Sequence, residues 1–398
     1  MYISPFTLSN GIKYHRLNFD DNIISCALIV KSGSLRDSRS GEAHFVEHML
    51  LDFLRLNQKY NQYSISKRLN VSGKTSFDRT CYYFACINEM FTEVLRMMKD
   101  IINGSYLDKR QFEEVRQEII DEFERNYPII FREEAFLKCA TAELGWNMPI
   151  GCIDDIKIIQ YEDVKEYFFR EYITSNLALG IVGNADDKLV DKIMSSNLMP
   201  VKTDTPCKSH SETDNTNVFN VPASQAHLMI RLPGQPLTPI TDINDSLSLS
   251  FISEILKQYP SPITTYIGIK EYTRSRRFLS LTCQKVEEIE EILNHIYDVM
   301  CNQRYISSIV HILKDKAVDF LLRQNCGSEI LCRIEDSFVY NSRFLQVTDV
   351  ANRIPSIPIS YVNKVIDRFI SSKKYIVSDA GAKEIIDRGA KCEKNKMA

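Results

Sequence analysis

Two histidines and a glutamate packed into His44-Phe45-Val46-Glu47-His48 are the side chains of this sequence best suited to carry chemistry. Residues four apart on an α-helix share a face, one turn apart, so the His44 and His48 imidazoles can converge on a single metal ion. Glu47 stands beside that face, within reach of a water on such an ion. This is the H-x-x-E-H order, the inverse of the commoner H-E-x-x-H zinc-peptidase motif. Histidine is scarce, seven in 398 residues, and composition alone would produce the pattern in roughly one such chain in a hundred. The plain alternative is a pair of histidines on a solvated or partly buried helix face, with Glu47 an ordinary surface charge. A further ligand separates the two, because a catalytic zinc usually takes three protein ligands and leaves one position for water.

The remaining histidines (His15, His210, His227, His295, His311) show no pairing pattern, which leaves a carboxylate as the better third donor. The segment Gln111–Phe123 reads as a helix, with Phe112, Val115, Ile119, Ile120 and Phe123 forming an inward stripe. Glu118 and Glu122, four apart, share a face beside that stripe, and either could point at a metal held by a neighbouring helix. So acidic a helix also reads as a solvated face, and spacing alone leaves these readings open.

The elements that must position these groups repeat. Strand-like runs (Ile23–Lys31; His227–Leu232) are each followed by a helix (Ala43–Leu54; Asp245–Leu256) and another strand (Thr80–Ile87; Phe278–Cys283). Helical segments and a closing apolar strand (Leu177–Val182; Tyr375–Val377) complete each series. Strands interspersed irregularly with helices, without Gly-rich βα turns, favour an α+β fold over a doubly wound one. A polar, turn-rich stretch, 200–217, reads as a linker between two copies of one unit, 1–199 and 218–398.

Composition bounds the function. Hydrophobic content of 44% and charged content of 25% are those of an ordinary globular protein. A net charge of −3 supplies no basic field for nucleic acid, and the tight basic cluster Thr273-Arg274-Ser275-Arg276-Arg277 reads as a solvated face or substrate contact. No run approaches the roughly eighteen apolar residues of a membrane span, and the start lacks the pattern of a secretory signal. Eleven cysteines, odd in number and without a C-x-x-C pair, suit reduced thiols and a cytoplasmic location better than a disulfide framework.

The motif, followed by a glutamate 122 − 48 = 74 residues later, resembles the pitrilysin-type zinc metallopeptidases, which include insulysin and mitochondrial processing peptidase. The likeness extends over most of the first half. Thr7–Lys13 looks like the family's opening strand and turn, and Ser32-Gly33-Ser34-Leu35-Arg36-Asp37 leads into Gly41–Leu50 much as its members read. Ser72–Ser76 with Thr80–Tyr83 is similar to its active-site edge strand. Arg116–Phe123 is similar to its third-ligand helix. Pro149-Ile150-Gly151 and Tyr172–Asn184 are similar to later landmarks. The resemblance implies two homologous halves, each a mainly antiparallel sheet packed with helices, of the pitrilysin/LuxS-like metallohydrolase type. It selects Glu122 as third ligand beside His44 and His48, with Glu118 bonding a ligand histidine or another side chain from outside. The chain departs from the family at Val115, where members often carry a glutamate.

What the resemblance implies is a zinc metalloendopeptidase with one Zn2+ per chain. The ion acidifies a bound water towards ~7 and polarises the scissile carbonyl, while Glu47 takes the water's proton and passes it to the leaving amine. Short or unfolded peptides would bind by adding a strand to the edge at Ser72, Gly73, Lys74 and Thr75, although Ser72-Gly73 stands where members usually have Asn-Ala. The second half lacks the family's Gly-rich loop, reading Gln258–Thr265 there, lacks its downstream tyrosine, and has no H-x-x-E-H of its own. These departures suggest the catalytic subunit of a heterodimer with a homologous partner, a homodimer being the other arrangement, with peptide maturation or general peptide turnover as the task. No nucleic acid or membrane partner is expected. The alternative is a zinc-binding scaffold subunit whose peptidase activity is reduced or lost.

Overall fold

The structure, a computed structural model, describes residues 2–18, 22–56, 62, 66, 68–140, 146–196, 226–232, 239–259, 261–264, 266–273, 276–323, 327–340, 347–372, 374–378 and 381–385. The expected linker 200–217, and Arg274 and Ser275 of the basic cluster, lie outside these residues. The chain runs through β1 (Tyr2–Thr7), β2 (Lys13–Leu17), β3 (Ile23–Val30), α1 (Glu42–Leu56), β4 (Leu69–Thr75), β5 (Thr80–Ile87), α2 (Phe91–Ile102) and α3 (Phe112–Ala140). Next come α4 (Ile153–Ile158), α5 (Tyr161–Glu171), β6 (Leu177–Val182) and α6 (Asp187–Met194). The later elements are β7 (Ala226–Leu232), α7 (Pro239–Gln258), β8 (Tyr266–Thr273), β9 (Arg276–Cys283), α8 (Ile289–Cys301), α9 (Gln303–Arg323) and α10 (Gly327–Val339). They close with α11 (Val347–Arg353), α12 (Ile359–Ile370), β10 (Lys374–Ser378) and β11 (Gly381–Ile385).

The strands form a six-stranded sheet ordered β1-β2-β6-β3-β5-β4 and a five-stranded sheet ordered β11-β10-β7-β9-β8. Within them, β6-β3-β5-β4 and β10-β7-β9-β8 repeat the same order with every neighbour antiparallel. Both series place a long helix directly after their first strand, α1 after β3 and α7 after β7. The fold is therefore α+β in two homologous halves, as the order of sequence elements led us to expect.

The first sheet is covered on both faces. Its central strands β3 (Ile-Ile-Ser-Cys-Ala-Leu-Ile-Val) and β6 (Leu-Ala-Leu-Gly-Ile-Val) are apolar at nearly every position, which a strand with one wet face would not be. Ile24, Cys26, Leu28 and Val30 meet Phe45, Val46, Met49 and Leu50 of α1 in the main core. On the other face Ala27, Ile29, Cys81 and Ala178 pack under Ile330, Leu331, Ile334 and Phe338 of α10. The five-stranded sheet has a core of its own, with Leu228, Ile230 and Leu281 against Phe251 and Ile255 of α7 and Val362 and Phe369 of α12.

The chain divides into two compact units that are not single stretches of sequence. One comprises Met1–Tyr127, Asn147–His210 and Asn325–Phe344, and the other Pro128–Trp146, Ser211–Gln324 and Leu345–Ala398. Thus α10 belongs with the first sheet, and α3 is shared between the units at Tyr127 and Pro128. Among the described cysteines Cys26, Cys81, Cys86 and Cys283 are buried free thiols, and Cys301 is disulfide-bonded, which departs from the expectation of reduced thiols. Among the described residues, no helix is long and apolar enough to cross a membrane.

Candidate metal centre

The motif helix α1 begins at a buried aspartate. The Asp37 carboxylate accepts hydrogen bonds from the backbone N–H groups of Gly41 (2.8 Å) and Ala43 (2.9 Å), donors that the start of a helix leaves without intrahelical partners. Burial pushes the Asp37 carboxyl well above the usual range, against those two bonds. Arg170 of α5 ties the approach segment down, donating to the Arg36 carbonyl (2.8 Å) and the Glu171 carboxylate (2.8 Å). With Phe45, Val46, Met49 and Leu50 drawn into the core, the helical period presents His44, Glu47 and His48 on an adjoining face.

The facing helix, α3, buries Phe112, Val115, Ile119 and Phe123, the stripe expected from sequence, with Ile120 partly buried. Phe112 stacks on Phe45 with ring centroids 4.8 Å apart, joining α3 to α1. The Arg116 guanidinium lies over Phe112 and donates to the Ile156 and Ile159 carbonyls at 2.5 and 2.6 Å. These contacts set the rotation of α3, and with it the direction of both glutamates.

Glu122 and Glu118 approach His48 from opposite sides. Glu122 Oε2 is 3.3 Å from His48 Nε2 and 3.9 Å from His44 Nε2, whereas Glu118 Oε2 is 3.9 Å from His48 Nδ1. The two Nε2 atoms are 3.2 Å apart, with the rings edge to face. Among the described residues, His44, His48 and Glu122 are the one group of such side chains whose donor atoms all lie within 4.8 Å of one another. Donors at about 2.0–2.1 Å from a tetrahedral zinc stand about 3.3 Å apart, so the side chains present fit that ion with only a small inward shift of His44 against Glu122. Burial and the neighbouring His48 bring the His44 imidazole down to about 4, so it is neutral at pH 7, as a ligand must be. The hydrogen bond with His48 holds the Glu122 carboxyl below its usual range, helped by the charge interactions with His44 and His48.

Glu47 lies 4.0 Å from His44 Nε2 and is buried. Burial raises its carboxyl, opposed by His48 and by hydrogen bonds from the Thr75 hydroxyl (3.0 Å) and backbone. The edge strand β4 is thus divided by its alternation. Gly73 and Thr75 face α1 and Glu47. Ser72 and Lys74 pair across the sheet with Tyr83 and Cys81, which belong to the core beneath α10, and so carry their side chains on the opposite face. Of the four residues expected at the substrate edge, only Gly73 and Thr75 therefore direct their side-chain positions to the centre. The Thr75–Glu47 bond and the Asp37 cap escaped sequence reasoning. The signals the sequence does hold are the period of two that puts Gly73 and Thr75 on one face of their strand, and an aspartate just upstream of a helix.

Residues 18–141 match the sequence pattern of Insulinase (Peptidase family M16). Over those residues the chain carries the pattern of an M16 peptidase-family domain. It is 24% identical over 242 residues to the mitochondrial-processing peptidase subunit beta of Dictyostelium discoideum, covering 58% of this chain and 50% of that protein. It is 25% identical over 281 residues to an Arabidopsis thaliana protein named zinc protease PQQL-like, covering 63% of this chain and 29% of that one. The chain thus spans half or less of the length of these relatives. In fold, the chain superposes on the crystal structure of a peptidase M16 inactive domain from Pseudomonas fluorescens with a TM-score of 0.74 at 13% identity, covering 96% of each chain.

Proposed function

We propose that this chain is a zinc-dependent endopeptidase that hydrolyses short or unfolded peptides, with His44, His48 and Glu122 as metal ligands and Glu47 as general base. The observation that carries the reading is the donor spacing of 3.2, 3.3 and 3.9 Å among two imidazoles and a carboxylate, with the Glu47 carboxylate beside them. Zinc, when bound, would polarise the scissile carbonyl and acidify the attacking water. The chain's residues do the rest. Glu47 takes a proton from the attacking water and delivers it to the leaving amine. Burial favours its protonated form, and Thr75 and His48 favour its charged form, a balance suited to a group that must do both. Glu118, beside His48 Nδ1, orients that ring.

An extended peptide would add to β4, the outermost strand of its sheet, using the backbone of Ser72–Thr75. The second unit, with a repeated sheet and no H-x-x-E-H, serves substrate or partner binding in this reading. A homologous partner subunit would supply the substrate-holding residues the second half lacks, by analogy with relatives named as subunits. The competing reading, a zinc-binding scaffold, is favoured by the similarity to an inactive M16 domain and by Ser72-Gly73. Zinc content and cleavage of an unstructured peptide library, with and without a chelator, separate the two. Glu47→Gln should keep one zinc per chain and lose roughly 10²–10⁴-fold in turnover. Stoichiometric zinc without any cleavage by the wild-type chain, alone or with a homologous partner, would favour the scaffold.

A further inference from the structure

The inward side of β4 is occupied by Glu47 itself. A Cβ built on Gly73 would stand 2.2 Å from Glu47 Oε1 and 2.5 Å from Leu51 Cδ1, so the glycine opens the space in which the carboxylate lies. Two residues on, Thr75 donates its hydroxyl to Glu47 Oε2 at 3.0 Å, and its backbone N–H is also aimed at the carboxylate. Gly73 pairs with Tyr82 and Thr75 with Thr80 on β5, and the hairpin turn between them is held in turn by Ser34 N–H on the Ser76 carbonyl (3.1 Å) and Leu35 N–H on the Phe77 carbonyl (2.9 Å). The approach segment of α1 and the edge strand thus brace each other around one side chain.

A glutamate has three rotatable bonds, and a base must have its lone pair aimed before the reaction begins. His44 and His48 fix only the start and end of the turn that carries Glu47, not the rotation of its side chain. We propose that Thr75 is the positioning residue of Glu47, holding one carboxylate oxygen by a paired side-chain and backbone contact, while Gly73 provides the space. The inference rests on the reading of Glu47 as general base. It changes the role of these two positions, since the Thr75 hydroxyl and the missing Cβ of Gly73 serve the base while substrate contact at this edge falls to the backbone.

The test is Thr75→Val, which keeps the shape and removes the hydroxyl, with Thr75→Ser as the conservative variant. Thr75→Val should lower kcat by roughly 10–100-fold with KM and zinc content unchanged, and Thr75→Ser should restore most of kcat. An unchanged kcat with a raised KM would make Thr75 a substrate contact and overturn the proposal. So would failure of Thr75→Ser to restore kcat. A second measurement needs no activity. In the metal-free protein, Thr75→Val should lower Tm by about 2–4 °C in the Glu47 background and leave it unchanged in a Glu47→Ala background. Equal shifts in both backgrounds overturn it. If the wild-type chain cleaves no peptide either alone or with a homologous partner, the peptidase reading fails, whereas the melting cycle still decides whether Thr75 holds Glu47.

Discussion

Replacing Glu122 by Gln tests which of two neighbouring carboxylates completes the centre, a choice that helical spacing left open. The amide keeps the size of the side chain and removes its charge. Glu122 Oε2 stands 3.3 and 3.9 Å from the two Nε2 atoms, whereas Glu118 Oε2 reaches only the far nitrogen of His48, at 3.9 Å. Apparent binding free energies of about 10–16 kcal/mol for four-ligand zinc sites correspond to about 2.5–4 kcal/mol per ligand. At 1.4 kcal/mol per tenfold, Glu122→Gln should weaken zinc binding by roughly 10²–10³-fold. Glu118→Gln removes an outer partner of a ligand histidine, for which roughly 10–100-fold is typical. Competition of the metal-free proteins against a chromophoric chelator at neutral pH measures both constants. The reasoning predicts an order as well as a size, Glu122→Gln weaker than Glu118→Gln. The reverse order would make Glu118 the ligand and refute the assignment drawn from these distances.

Two further outcomes concern buried groups of the first unit outside the centre. Asp37→Ala removes the acceptor for Gly41 and Ala43 N–H and should cost about 1–2 kcal/mol, read as a lower Tm. His15, buried on β2, is brought down to about 4 by burial and by Lys13. Below its ordinary value of about 6.5 the unfolded chain takes up a proton that the folded chain refuses, so stability is lost as pH falls from about 6.5 towards 4, by up to about 3 kcal/mol. His15→Leu should flatten that part of the stability–pH curve, and an unaltered curve would show that His15 does not govern it.

The centre was legible in the sequence to the extent that its geometry is local. His44, Glu47 and His48 sit on one helix, where spacing alone sets which side chains neighbour each other, and the apolar stripe of α3 predicted the burial of Phe112, Val115 and Ile119. The rotation of α3 about its axis was not local, because it depends on Phe45 stacking on Phe112 and on Arg116 reaching the carbonyls of a helix some forty residues on. Strand order was legible only as repetition, since hydrogen-bond pairing across a sheet leaves no mark on either strand alone. The alternation of β4 is local too, and a period of two separates Gly73 and Thr75 from Ser72 and Lys74. Which of the two sets faces α1 is not, because that depends on the pairing of Gly73 with the inward Tyr82.

The helix α10 has a consequence for how this chain could have arisen and how it can be cut. It comes from the C-terminal half of the sequence yet roofs the first sheet, with Arg79 of the β4–β5 turn 2.9 Å from its Asp336 and Tyr340 bonded to Asp78. In return, residues 128–146 of the N-terminal half belong to the second unit. Two tandem copies that have traded segments are no longer separable modules. Expressed alone, residues 1–199 would leave Ala27, Ile29, Cys81 and Ala178 bare to water, an invitation to aggregate. The half that bears His44, Glu47 and His48 owes the cover over its sheet to the half that lacks that motif.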